Sequence, residues 1–314
     1  MSSFGGLVPV SLQEAGTDLL QFVQRPDTRF GTGWSIDDSC GQVGTGEMAL
    51  MWARSGAGKS TWMLNIIANT PQVPTVVVNM EMTPRRQEEW LTAMTYNLSV
   101  PSRDIETALR AGPEDDRYEE VERAVRTMFR EYSQVHFLNP SHPSVEDLMV
   151  AVDDITDATG VRPRRVFIDH LMLLGGAQDY TGVCVTAGKL HSWAMREDLA
   201  VYVLQQTGRA GVEGDRNNGH IPVNLNSGLY GGEADADWIF GLYRPDKNPK
   251  FSRSRRTFSD EEKYWEMVAQ RESVQGIVIM QIIKNRPFGD TKESGIELSY
   301  DPHTRKYREL GSVN

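Results

Sequence analysis

Only two cysteines occur in 314 residues, Cys40 and Cys184, far apart and with no C-x-x-C spacing. That excludes a disulfide framework and reads as buried or idle thiols in a reducing compartment. The six histidines stand at no ligand spacing with cysteine, which argues against a structural zinc site. No apolar run approaches the roughly 18 residues of a membrane-spanning helix, and no signal peptide opens the chain. A soluble, cytoplasmic protein without a membrane partner is expected. A surplus of positive charge is missing too. With 33 Lys and Arg against 43 Asp and Glu, the net charge of −10 argues against a protein that coats nucleic acid through a broad basic surface. Nucleic acid held in a local channel remains compatible with it. Internal repeats and low-complexity tracts are absent, and 24% charged with 9% aromatic residues is ordinary for a globular chain. The length suits one large α/β domain, or a domain with a small appendage, that buries a sizeable core.

What is present is a phosphate cradle. Residues 47–53 read as a strand, Ala53-Arg-Ser-Gly-Ala-Gly-Lys-Ser-Thr61 as a glycine-rich turn, and Trp62, Met63, Ile66 and Ile67 as the apolar face of a helix. Such a turn, at Ser55, Gly56, Ala57, Gly58, Lys59, Ser60 and Thr61, points backbone N–H groups at phosphate oxygens. Lys59 adds a positive charge, and the Ser60 hydroxyl can ligate Mg²⁺. Ala53 stands where the G-x-x-x-x-G-K-[ST] pattern begins with glycine, a departure of one methyl group. The residues therefore predict binding of a nucleoside triphosphate, ATP, with Mg²⁺.

A βαβ rhythm surrounds the cradle. Strands are predicted at residues 47–53, 75–79, 135–138, 165–169, 200–205, 238–243, 276–284 and 296–300. Helical patterns fall between the early ones. Tyr118, Val121, Ala124, Val125, Met128, Phe129 and Tyr132 recur at three- and four-residue spacing. Ser144 is a good N-cap with Asp147 three residues on, and Thr83-Pro84 opens a further helix. Alternation of this kind predicts a mainly parallel, twisted sheet with helices on both faces. The last two strands have no helix between them and predict an antiparallel C-terminal edge.

In such a sheet the ligand sits beyond the C-terminal ends of the strands. There Val-Phe-Ile-Asp169 offers a carboxylate to hold Mg²⁺ through water. His170 follows it rather than a glutamate, so another carboxylate must polarise the attacking water. Glu81, in Asn-Met-Glu-Met, is placed on the neighbouring strand to do so; the alternative is a helix-entry carboxylate beside Thr83. Gln206 ends the 200–205 strand, where its amide can hydrogen-bond the γ-phosphate or its water. A long stretch rich in glycine and asparagine follows, residues 208–232, and another glycine-bearing loop, 175–182, follows the strand that ends at Asp169. Lys247, Lys250, Arg253, Arg255 and Arg256 cluster within 245–275 and read as a solvated loop. A helical pattern runs from Phe258 to Arg271 in the same segment.

The order Ala-Arg-Ser-Gly-Ala-Gly-Lys-Ser, Asn-Met-Glu-Met, Val-Phe-Ile-Asp-His, Val-Leu-Gln-Gln-Thr-Gly-Arg, Glu-Ala-Asp-Ala-Asp-Trp-Ile-Phe-Gly-Leu-Tyr-Arg-Pro and Ile-Ile-Lys-Asn-Arg resembles the RecA-like ATPase domain of DnaB-type replicative helicases. The resemblance covers roughly residues 28–310, which makes 1–27 an N-terminal linker segment, 28–314 the RecA-like domain and 245–275 an insertion. It implies that Lys59 and Ser60 contact phosphate and magnesium, Glu81 activates water, Asp169 is the Walker B carboxylate and Gln206 senses the γ-phosphate. Arg244 would stand near the nucleotide base. Lys284 and Arg286 match a Lys-x-Arg pair that enters the neighbouring subunit's site. A fixed-charge guanidinium suits a transition-state phosphate, while the alternative is a basic edge strand that discourages aggregation.

The family further implies a homo-oligomer, usually a hexameric ring, that moves 5′ to 3′ on single-stranded DNA. Loops 175–182 and 208–232, with Arg209 and Arg216, would touch that DNA, and a primase or loader is a possible partner. The amphipathic segment 11–23 (Leu12, Ala15, Leu19, Leu20, Val23) is expected either to dock on a neighbour or to lie on its own core. Little precedes residue 28, so the family's helical N-terminal domain is expected to be missing, as in a compact phage or plasmid protein. Two other readings stay open at this stage. One is a RecA-type strand-exchange or mediator ATPase that forms filaments; the other is a regulatory ATP-binding scaffold that loads a helicase.

Overall fold

The structure is a computed structural model that describes residues 28–207, 231–248, 261–289 and 294–313, with the short pieces 11–13, 20–21 and 24–25 and residue 223. Strands β1 (Arg29–Phe30) and β2 (Val43–Gly44) pair antiparallel on either side of the short helix α1 (Ile36–Cys40). Strand β3 (Met48–Ala53) then leads into α2 (Lys59–Asn69). After β4 (Thr75–Asn79) come α3 (Pro84–Tyr96), α4 (Ile105–Ala111) and α5 (Tyr118–Glu131). The alternation continues through β5 (Val135–Leu138), α6 (Val145–Thr159), β6 (Arg165–Asp169), α7 (Tyr180–Glu197), β7 (Ala200–Gln206) and β8 (Trp238–Tyr243). Helix α8 (Glu261–Ser273) precedes β9 (Ile277–Asn285), β10 (Ser294–Tyr300) and β11 (Tyr307–Val313).

Nine of the strands form one sheet in the order β11-β10-β9-β8-β3-β7-β6-β4-β5. From β8 to β5 every pair is parallel, and from β8 outward to β11 every pair is antiparallel. This is the RecA-like α/β architecture that the sequence predicts. The antiparallel edge is wider than expected, because β11 joins it and the reversal already falls between β8 and β9. Helix α8 lies between those two strands in sequence without making a parallel crossover.

The period of two along β3 explains why the sheet is central. Met48, Leu50 and Trp52 enter one core with Val145, Leu148 and Val152 of α6 and Val183, Leu190 and Trp193 of α7. Ala49, Met51 and Ala53 enter the other with Trp62, Met63, Ile66 and Ile67 of α2 and Leu91 and Met94 of α3. A strand buried on both faces reads as continuous apolar sequence, and each large side chain so buried contributes about 1.5–3 kcal/mol. Helix α6 starts as predicted. The Ser144 hydroxyl accepts the Asp147 N–H at 3.1 Å, and the Asp147 carboxylate accepts the Ser144 N–H at 2.8 Å.

One predicted loop is shorter than expected. Helix α7 begins at Tyr180, with the Asp179 carboxylate accepting the Gly182 N–H at 2.7 Å, so Gly182 belongs to the helix and not to a loop ending there. A β-carbon at Gly182 would collide with the Gly176 carbonyl. Its glycine therefore serves close approach, where the sequence suggests flexibility. The helix predicted from Phe258 to Arg271 stands at Glu261–Ser273. Arg209, Arg216, Lys250, Arg253, Arg255 and Arg256 lie outside the described residues, as does most of segments 11–23 and 208–232. Leu12 and Leu20, which are described, are exposed. Among the described residues no helix is long and apolar enough to cross a membrane.

Candidate nucleotide site and a distant basic pair

The turn between β3 and α2 takes its shape from its glycines. Gly56 has φ of 75° and Gly58 has φ of 109°, in the left-handed region that side chains avoid. Gly58 is the N-cap of α2 and offers no side-chain cap, so the first N–H groups of that helix stay available to a ligand. A cavity of about 280 Å³ opens over the turn. Its walls bring together predicted residues from four strands' C-terminal ends: Ser55, Gly56, Ala57, Gly58, Lys59, Ser60, Thr61, Glu81, Gln206 and Arg244. Lys59 is buried there at 7% exposure. Burial pulls its ammonium below the usual lysine range, against the opposing effects of Asp169 and Glu81.

Asp169 ends β6 beside the cradle and is wholly buried. Its Oδ2 accepts the Ser60 hydroxyl at 2.5 Å and the Asn79 amide at 3.2 Å. Its Oδ1 is buried with no hydrogen-bond partner among the described residues. Burial raises the carboxyl above the usual range, and the Ser60 hydroxyl bond works against that rise. An anionic oxygen left unpaired beside a hydroxyl and a phosphate cradle fits a hydrated divalent cation. No cluster of three or more His, Cys, Asp or Glu side chains occurs among the described residues to hold a metal alone. The donors present therefore suit a cation that completes its shell with water and phosphate oxygens, as magnesium does.

Glu81 stands two residues beyond β4. The Asn79 side-chain oxygen accepts the N–H groups of Glu81 and Met82 at 3.0 and 2.8 Å, which fixes the turn that carries it. Asn79 thus ties Glu81 to Asp169, a bridge that the sequence does not single out. His170 Nε2 lies 3.4 Å from Glu81 Oε1. That hydrogen bond holds the Glu81 carboxyl below the usual range, with Lys59 helping. Glu81 is 42% exposed and faces the cavity, the position needed by a base that acts on water.

Four wall residues escape sequence reasoning: Trp90, Tyr300, Arg305 and Tyr307. Trp90 comes from α3, Tyr300 from the end of β10, and Arg305 and Tyr307 from the turn into β11 and its first residue. The Arg305 guanidinium lies 3.8 Å over the Trp90 ring, and that of Arg244 lies 5.3 Å over Tyr300. Both nitrogen bonds from Arg244 to Asp246, at 3.2 and 2.8 Å, keep its plane fixed. Tyr307 is buried over the glycine turn, its hydroxyl donating to the Gly58 carbonyl at 3.4 Å.

Two predicted residues lie elsewhere. Lys284 and Arg286 sit at the far end of β9, where Asn285 pairs with Trp238 and Trp238 with Ala49, at the start of β3. The cradle follows Ala53, which pairs with Leu242. From Trp238 to Leu242 is roughly 13 Å of strand. The basic pair thus stands at the opposite end of the sheet from its own cradle. The Lys284 ammonium donates to the Glu233 carbonyl at 2.6 Å, and Arg286 donates to the Ala234 carbonyl at 2.7 Å and to Asp237 Oδ1 at 3.2 Å. Burial and then Arg286 lower the Lys284 ammonium, while Asp237, Glu233 and Asp235 act the other way.

Among solved structures the chain is similar to the ATPase domain of a phage helicase, with a TM-score of 0.72 and 20% identity, covering 96% of this chain and 100% of that one. It is also similar to the structure of a DnaB-like replicative helicase reported with its interactions with primase, with a TM-score of 0.66 and 19% identity, covering 96% of this chain and 67% of that one. At these identities the likeness is one of fold. No curated protein matches the chain. The family model of the DnaB-like helicase C-terminal domain matches residues 32–309. The chain belongs to that family, the C-terminal domains of DnaB-like helicases.

Proposed function

We propose that this chain is an ATPase that assembles with copies of itself, hydrolyses ATP at the boundary between copies, and uses the cycle to move along single-stranded DNA and unwind duplex. The observation that carries this reading is the separation just described. The cradle, Glu81 and Asp169 converge at one end of the sheet, while Lys284 and Arg286 occupy the other and are available only to a second molecule's cradle. Membership in a helicase domain family supports the coupling to DNA.

In this reading the N–H groups of residues 55–61 and the Lys59 ammonium bind the β- and γ-phosphates. Ser60 and Asp169 hold Mg²⁺, which when bound neutralises phosphate charge. Glu81 takes a proton from the attacking water and is kept anionic by His170 and Lys59. Gln206 hydrogen-bonds the γ-phosphate or that water. Arg244 and Tyr300 flank the base. Lys284 and Arg286 of the adjoining copy stabilise charge on the transferring phosphoryl group, so hydrolysis waits on assembly. Arg209 and Arg216 meet the DNA backbone. The assembly is a ring, most simply a hexamer. A primase is a candidate partner, since the similar replicative helicase was described with one.

The test is ATP turnover with single-stranded DNA for wild type, Arg286→Ala, Glu81→Gln and a mixture of the two variants. Each variant alone should lose about 10²-fold or more. The mixture should regain a fraction, because a cradle from the Arg286→Ala copy can meet an intact arginine from the Glu81→Gln copy. Full activity of Arg286→Ala alone, or no recovery on mixing, would overturn the composite site.

A further inference from the structure

The basic pair is not left loose at the end of β9. The turn 233–237, just before β8, binds it at four points. Glu233 and Ala234 supply carbonyls to Lys284 and Arg286, the Asp237 carboxylate takes Arg286 Nη1, and the Asp237 carbonyl takes the Arg286 N–H at 2.9 Å. Asp237 is buried at 8% exposure, and its carboxylate has further partners. Its Oδ2 accepts the Met48 N–H at 2.9 Å and faces His191 Nε2 at 3.1 Å. The Asp237 N–H in turn donates to the Met48 carbonyl at 2.9 Å. His191 stands on α7, so one carboxylate joins the start of β3, helix α7 and the end of β9.

We propose that Asp237, backed by His191, is the positioning residue for Arg286. A guanidinium has five N–H donors, and Asp237 and Ala234 engage only two of its terminal nitrogens' hydrogens. The Arg286 side chain remains 49% exposed, with donors left for a phosphate. Asp237 itself cannot swing freely, because Met48 and His191 hold its second oxygen. Removing His191 takes away one of three side-chain or backbone donors to that carboxylate and loosens the guanidinium it aims. Misplacement of a catalytic group by about 1 Å can cost on the order of 10²-fold in rate. His191 touches neither the cradle nor the cavity, so nucleotide binding by the same copy does not depend on it.

This inference rests on the reading that Arg286 acts in an adjoining copy's site. The experiment measures DNA-stimulated ATP turnover and binding of a fluorescent ATP analogue for His191→Leu, alone and mixed with Glu81→Gln or with Arg286→Ala. His191→Gln keeps an N–H donor and serves as the conservative variant. Expected for His191→Leu are about 10-fold slower turnover and unchanged analogue binding. Recovery should follow mixing with Glu81→Gln, whose arginine end is intact, but not mixing with Arg286→Ala, which fails in the same half. His191→Gln should retain most activity. If His191→Leu does not fold, Asp237→Asn, which keeps the side chain's shape, carries the same comparison. Wild-type turnover by His191→Leu, or recovery with Arg286→Ala, overturns the positioning role alone. Failure of the Arg286→Ala and Glu81→Gln mixture to recover overturns the composite site, and the positioning role falls with it.

Discussion

Replacing Gly58 by alanine should damage the cradle in two separable ways. The residue has φ of 109° and ψ of 28°, a region that costs a side-chain-bearing residue about 1–3 kcal/mol. A β-carbon there would also overlap the hydroxyl of Tyr307, which is buried and cannot swing aside. Overpacking of this kind costs about 1–3 kcal/mol. Gly58→Ala should therefore destabilise the chain by about 2–6 kcal/mol, the sum of the two. Tyr307→Phe alone removes a long hydrogen bond of 3.4 Å and should cost no more than about 1 kcal/mol. In the double variant the overlap disappears while the backbone conformation stays wrong. The two changes should then couple by about 1–3 kcal/mol, with the rest of the loss remaining. Urea unfolding of wild type, both single variants and the double variant measures this directly, and titration with a fluorescent ATP analogue should show weak binding in both chains that carry alanine. Strictly additive costs, or a Gly58→Ala loss below about 0.5 kcal/mol, would refute the claim that Tyr307 stands over the turn.

Asp169→Asn should abolish hydrolysis yet stabilise the chain without nucleotide. Burial raises this carboxyl above its ordinary value of 3.8, so the folded state holds the proton more tightly than the unfolded one. The stability from that proton is complete in acid below 3.8 and is lost as pH rises through the folded value. The advantage of asparagine over aspartate should thus grow from acidic to neutral pH in urea unfolding, and a constant difference would count against it. His170→Phe removes the first cause of the lowered Glu81 carboxyl, so the acid limb of kcat/KM should move to higher pH. An unmoved limb would show that Glu81 is not the group titrating.

The cradle was legible because its chemistry is local. Strand, turn and helix start lie within two dozen residues, and each leaves its own pattern. Glu81, Asp169 and Gln206 were legible because a parallel sheet delivers strand ends to one edge, a rule of topology. Trp90 and Arg305 were not, because they meet from segments more than half the chain apart. Strand β11 escaped because it lies at the sheet edge, with Arg308 and Leu310 exposed and only Tyr307 buried among its first residues. Helix α7 was hidden by Gly182, Gly188 and a run of β-branched residues, which lower helix propensity; burial of Val183, Ala187, Leu190 and Trp193 outweighs them. Lys284 and Arg286 could be picked out by residue type. Their distance from the cradle followed only from the reversal at β9.

That reversal sets an arithmetic for assembly. Each copy carries the cradle half of a site at one end of its sheet and the basic half at the other. Copies joined in an open row then hold one complete site fewer than their number, and closing the row into a ring supplies the last. Turnover per copy should accordingly rise more steeply than in proportion to protein concentration. It should level off only where closed assemblies dominate, and a lone copy with a filled cradle would hold ATP without spending it.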